Sequence, residues 1–145
     1  MNLSSSVIPL DIRYKFYERS IISATLQDVQ TYGIPPGYSI SINFIAHYPG
    51  AKLPASIADE FSTDANDEVS IIFKDGQFWD LQIDYFGFQV AVILDGIKQL
   101  IYIPLASITQ YKNTIQSTFL NCSALPKEFG AKLKVDSSII NYFLT

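Results

Sequence analysis

Few side chains in this sequence are suited to covalent chemistry. His47 is the single histidine and Cys122 the single cysteine among 145 residues. A nucleophilic pair of the two would have to be assembled by the fold, because nothing in their local sequence supports one. One histidine also removes most imidazole-based acid–base and metal schemes. It sits beside Tyr48-Pro49, where a structural role at the surface suits it. Asp80 and Asp84 have the look of paired carboxylates for glycoside chemistry, yet two acids near a strand end are commonplace. The acidic run Asp64, Asp67, Glu68 lacks the glycine and the twelfth-position glutamate of a calcium loop. The glycines make neither a phosphate cradle nor a dinucleotide fingerprint. The residues predict no catalytic centre, no metal site and no cofactor, and they direct attention to surfaces.

The composition points the same way. Apolar residues make up 48% of the chain and charged ones only 17%, so a packed core forms while apolar area is left facing water. The net charge is −4 and the ten Lys and Arg are scattered, without the basic stripe that neutralises phosphates, so nucleic acid is not an expected partner. A lone cysteine gives no disulfide. No apolar run reaches the ~18 residues of a membrane span, and the Ser-rich start lacks a signal-peptide layout. The expected location is the cytoplasm, with no membrane partner.

The elements that would position such a surface follow from hydrophobic period. After a polar leader, 1–8, Pro9 suits the start of a helix running from Leu10 to about Gln30. Leu10, Tyr14, Tyr17 and Ile21 form a stripe, extended by Leu26 and Val29, while Ile12, Phe16 and Ile22 widen it. Such a helix either is a broad core helix or has two surfaces to cover, its own sheet and a second copy. Beyond the stop at Gly33-Ile34-Pro35-Pro36-Gly37 the period becomes two. Strands are predicted at Tyr38–Phe44, Val69–Lys74, Gln77–Ile83, Phe88–Leu94 and Ile97–Ile103, with turns at Asp75-Gly76 and Asp95-Gly96. Ala91 and Ile93 make the last hairpin apolar on both faces, which predicts a central place in the sheet. A helical turn at Ala106–Tyr111 and a strand near Ile115–Leu120 complete a domain over 9–121. The long connection 47–68 has room for a helical turn at Ala55–Phe61. The tail, 122–145, ends with Ile139, Ile140, Tyr142, Phe143 and Leu144, which dock either on their own domain or on another protein. One helix followed by consecutive strands predicts an α+β fold, a curled antiparallel sheet or small open barrel. Phe44, Phe73, Phe78, Trp79, Tyr85, Phe86 and Phe88 supply either an aromatic core or a recognition surface.

The segment Ile71-Ile72-Phe73-Lys74 with Gln77-Phe78-Trp79-Asp80-Leu81 resembles alpha-type SspB adaptors, and the likeness continues in order and spacing. It takes in Phe88-Gln89-Val90-Ala91-Val92, the turn Asp95-Gly96-Ile97 and Ile101-Tyr102-Ile103-Pro104-Leu105-Ala106-Ser107-Ile108-Thr109. Upstream it includes Tyr38–Phe44 and Pro49-Gly50-Ala51-Lys52-Leu53, so it spans roughly residues 15 to 120. The resemblance implies a helix followed by a Sm-like, mostly antiparallel open β-barrel. It implies a non-enzymatic adaptor that binds ssrA-tagged protein substrates and delivers them to the ClpX ATPase of the ClpXP protease. Phe44, Phe73, Lys74, Gln77, Phe78, Trp79 and Leu81 are then peptide-binding or groove-supporting, with Lys74 and Gln77 at the polar edge. Phe78 and Trp79 are adjacent on a strand and are expected on opposite faces, one of them in the core. The resemblance makes the chain a homodimer through Leu10, Tyr14, Tyr17 and Ile21. It makes Ser138, Ile139, Ile140, Asn141, Tyr142 and Phe143 a ClpX-docking tail, although the terminal basic residues of that motif are absent here. Lys74-Asp75-Gly76 carries one extra residue at the groove rim, and Asn113-Thr114 replaces an Asp-Pro. A Sm-like RNA-binding module and a small-ligand-binding barrel are the alternatives.

Overall fold

The computed structural model describes residues 9–59 and 67–130. Helix α1, Leu10–Tyr32, begins after Pro9 and stops at Gly33, whose φ of 76° lies in the left-handed region and whose N–H closes on the Val29 carbonyl at 2.8 Å. Among the described residues seven strands follow: β1 Ser39–Ile45, β2 Glu68–Lys74, β3 Phe78–Ile83, β4 Gly87–Leu94, β5 Ile97–Pro104, β6 Ile108–Asn113 and β7 Thr118–Asn121. Helical turns α2, Ala55–Ala58, and α3, Lys127–Gly130, lie in the connection after β1 and after β7.

The fold is α+β with two antiparallel sheets, ordered β2-β1-β6-β7 and β3-β4-β5. Among the described residues the sheets do not close into one hydrogen-bonded barrel. Alternate residues of both sheets fill a shared core: Ile40, Ile42, Phe44, Ile71, Phe73, Phe88, Val90, Ile101, Ile103, Ile108 and Tyr111. Helix α1 adds Ile12, Ile22, Leu26 and Val29. Leu26 and Val29 thus belong to the core face rather than to the Leu10 stripe. Leu10, Tyr14 and Ile21 are exposed, and Tyr17 is half-buried.

Three expectations change. Ile108–Asn113 is a strand inside the four-stranded sheet, preceded by a 3₁₀ turn at Leu105–Ser107, where a helical turn was expected at Ala106–Tyr111. The Asp75-Gly76 turn is present, yet β2 and β3 enter different sheets instead of pairing. β4 is central, but its partner β5 is an edge.

Residues 122–130 are also packed domain and not tail. Cys122 and Leu125 are buried, and the Leu125 N–H bonds the Ala106 carbonyl at 2.8 Å. The leader 1–8, part of the acidic run and the proposed docking segment Ser138–Phe143 lie outside the described residues. Among the described residues, no helix is long and apolar enough to cross a membrane.

Arg19 locks these parts together. It is fully buried on α1, roughly opposite Tyr17 around the helix, since two residues advance it by about 200°. Its guanidinium donates to the carbonyls of Leu105 at 3.1 Å, Ile108 at 2.8 Å and Ser123 at 2.7 Å. Burial pushes its pKa down, while nearby Cys122 and Glu18 act in the opposite sense. The Glu18 carboxylate is 3.9 Å away and only partly buried, so backbone carbonyls do most of the work of solvating this cation.

Candidate functional site

The aromatic positions separate by the pleat. Phe73, Phe78 and Phe88 meet inside, with Phe73–Phe78 centroids at 5.7 Å and Phe73–Phe88 at 6.1 Å. Phe44 and Phe73 are fully buried and Leu81 nearly so. Of the two roles expected for these three, peptide-binding or groove-supporting, their burial fits only the second: they pack the core, because the inward face of each strand must fill the space between the sheets. Phe78 packs beside them and is half-buried. Trp79, one residue on, lies on the outer face. Lys74 and Gln77 are exposed at the ends of the Asp75-Gly76 turn, closed by Gln77 N–H to Lys74 carbonyl at 3.0 Å.

The outer face of the three-stranded sheet is built by register. Trp79 pairs with Ala91, and Ala91 with Leu100, giving one row across three strands. Ile93, opposite Lys98, borders that row diagonally. Leu100 is 55% and Ile93 49% exposed, so this row presents real apolar area to water. Ala91 is the small floor between two large neighbours. The Lys98 ammonium lies 4.4 Å from the Trp79 ring centroid, a cation–π contact that braces the indole. Two residues, Asp80 and Leu81, oppose one on β4, and Asp80 takes a φ of 57°. This bulge returns Leu81 inward and Gln82 outward. The signal for the face was in the sequence, as Ala91 and Ile93, but it read there as burial; Leu100 and Lys98 were missed.

A second row, Gln82–Gln89–Tyr102, leads to a cleft of about 520 Å³ lined in part by Tyr48, Lys52, Asp84, Phe86, Tyr102 and Pro104. The Tyr102 hydroxyl donates to Asp84 at 2.9 Å, and the same carboxylate accepts the Phe86 and Gly87 N–H groups at 2.8 Å. Burial and the Asp84 bond push the Tyr102 phenol well above its ordinary value. Asp84 is therefore committed to capping its own turn, and the Asp80/Asp84 pair does not read as an acid–base couple.

Cys122 is buried, its thiol 3.7 Å from the Ile108 carbonyl, and burial pushes its pKa up despite nearby Arg19, so it is a poor nucleophile. His47 is exposed on the loop after β1. Among the described residues no group of three or more His, Cys, Asp or Glu is placed to hold a metal. What the site offers is an apolar row with a braced indole and a polar border. No protein-family model matches the chain, and no curated protein matches it.

Proposed function

We propose that the protein is a non-enzymatic adaptor that binds ssrA-type tag peptides on the outer face of the three-stranded sheet and delivers tagged proteins to ClpXP. The observation that carries this reading is the outer-face row Trp79–Ala91–Leu100, in which a half-buried indole and the exposed Leu100 flank the covered Ala91, with the exposed Ile93 beside it, apolar surface of the kind that marks recognition sites. The two sheets are read as the halves of a Sm-like open barrel, as the resemblance to SspB adaptors implies. The exposed Leu10, Tyr14 and Ile21 on α1, with Tyr14 and Tyr17 edge to face at 5.9 Å, supply a dimer stripe on the side away from the core. The chain acts in the cytoplasm, and Ser138–Phe143 dock on ClpX. Mechanistically, two weak contacts joined by a linker raise the local substrate concentration at the unfoldase to about the millimolar scale.

Trp79 is the only tryptophan, so its fluorescence reports on the site directly. Titration with a tag peptide is expected to give a saturable change, and Trp79→Ala to weaken binding by about tenfold or more. No binding at any salt concentration removes the reading. Sedimentation of the full chain tests the dimer. Degradation of a tagged reporter by ClpXP, comparing the full chain with one ending at Gly130, tests the docking tail.

A further inference from the structure

Two sheets have four outer strands, and three of them carry features that discourage pairing. β3 has its bulge and left-handed Asp80, and α1 packs against it. β7 is only four residues long. β2 has a charge at each end, Glu68 and Lys74. β5 carries one exposed edge charge, Lys98, yet it is the longest and most regular of the four: eight residues in unbroken register with β4, from Leu94↔Ile97 to Gly87↔Pro104, with Ile97 62% and Leu100 55% exposed.

That edge already accepts a strand at one point. Lys52 and Tyr102 exchange both backbone hydrogen bonds at 3.0 Å in an antiparallel bridge. The outward N–H of Tyr102 fixes the alternation: Leu100 and Lys98 also aim their backbone groups away from β4. Among the described residues neither has a backbone partner on that side. The 52-bearing segment does not extend the ladder, because Pro54 has no N–H and α2 starts at Ala55.

We propose that β5 captures an extended peptide by strand addition, antiparallel along Leu100 and Lys98. Residues opposite these two share the outer face with them. An apolar side chain sits beside Leu100 and Ile93, and an acidic one beside Lys98. Charge selects this occupant over a second copy of β5, which has no acidic residue and brings another Lys98 to the junction. The inference rests on the peptide-adaptor reading and names its mode of recognition.

The test is amide hydrogen exchange of the full chain, alone and with two probes: an ssrA tag peptide, and a ten-residue peptide alternating valine and threonine with one glutamate. Bound peptide is expected to slow exchange at Leu100 and Lys98 by at least about tenfold. Leu100→Pro, which removes an outward N–H, abolishes this binding while Leu100→Ala weakens it less. If Leu100→Pro does not fold, the exchange measurement on the unaltered chain decides. Tag binding with unchanged exchange at these amides overturns strand addition and leaves the adaptor reading. Protection by the alternating probe alone keeps strand addition and removes tag specificity; binding of neither removes both. Protection in the free protein that grows with its concentration assigns the edge to a second copy. Protection in the free protein that is independent of concentration and lost in Phe143→Asp assigns it to the chain's own terminus. Either result overturns the proposal.

Discussion

The outer faces of the two sheets share one geometry and differ in chemistry. On the four-stranded sheet, Ser70, Asn43, Gln110 and Asn121 line up in a single row across all four strands. Asn43 donates to Gln110 at 3.0 Å and accepts from the Ser70 hydroxyl. The next row places the exposed Ile72 and Phe119 at opposite edges with Ser41 and Lys112 between them. On the three-stranded sheet the corresponding row is Trp79–Ala91–Leu100, contiguous and apolar. A polar row whose members bond one another gains little from a partner. An apolar row leaves area that only a partner can remove from water, at ~25 cal/mol per Å². The contrast teaches that being an outer face does not make a site; contiguity of unsatisfied surface does.

The most damaging change removes what both faces hang from. Arg19→Met strands the carbonyls of Leu105, Ile108 and Ser123, and a loss of about 3–5 kcal/mol in urea unfolding is expected, so the two faces fail together. A loss under 1 kcal/mol breaks the view of Arg19 as the tie. Next, Leu100→Asp is expected to lower tag-peptide affinity by about tenfold or more, whereas Ile72→Asp on the other face leaves it unchanged. Equal effects erase the distinction. Asn43→Ala unpairs Gln110 and Ser70 and is expected to cost about 0.5–1.5 kcal/mol of stability with peptide affinity untouched. Lys98→Met removes the contact over Trp79, worth about 0.5–1 kcal/mol, and shifts the indole emission.

A pH series reads a covered phenol on each sheet, Tyr102 on β5 and Tyr111 on β6. Burial raises the Tyr102 phenol, with Asp84 adding to it, and burial raises that of Tyr111. A raised folded value means a contribution complete below the unfolded pKa, near 10, and lost as pH climbs from there through the folded value. Melting temperature is therefore expected to hold to about pH 10 and fall above it, less steeply in Tyr102→Phe.

Much of the architecture is legible in local pattern, and the failures have specific causes. The helix was readable from its 3.6-residue period and its Gly33 stop, and most strands from strict alternation. Ile108–Asn113 was not, because a register shift at Asn43/Phe44 pairs Ile108 with Phe44 and Gln110 with Asn43. That irregularity places the buried Ile108 and Tyr111 three apart, a helical spacing inside a strand. Nothing local marks Arg19 in the sequence, since its buried partners are backbone carbonyls 86, 89 and 104 positions away, which carry no side-chain signature. The candidate face was half legible: Trp79 was one of seven named positions, and Phe44, Phe73, Phe78 and Leu81 had equal claim until their inward faces were known.

Composition, period and turn chemistry are properties of neighbouring residues, so the sequence alone determined the long helix, six of the seven strands and the shortage of reactive groups. The pairing of strands into two sheets, the burial of one aromatic set and the placing of Trp79 on the outer face depend on contacts between distant residues. Each pleat has two faces, and only the packing of the sheets and α1 decides which one meets water.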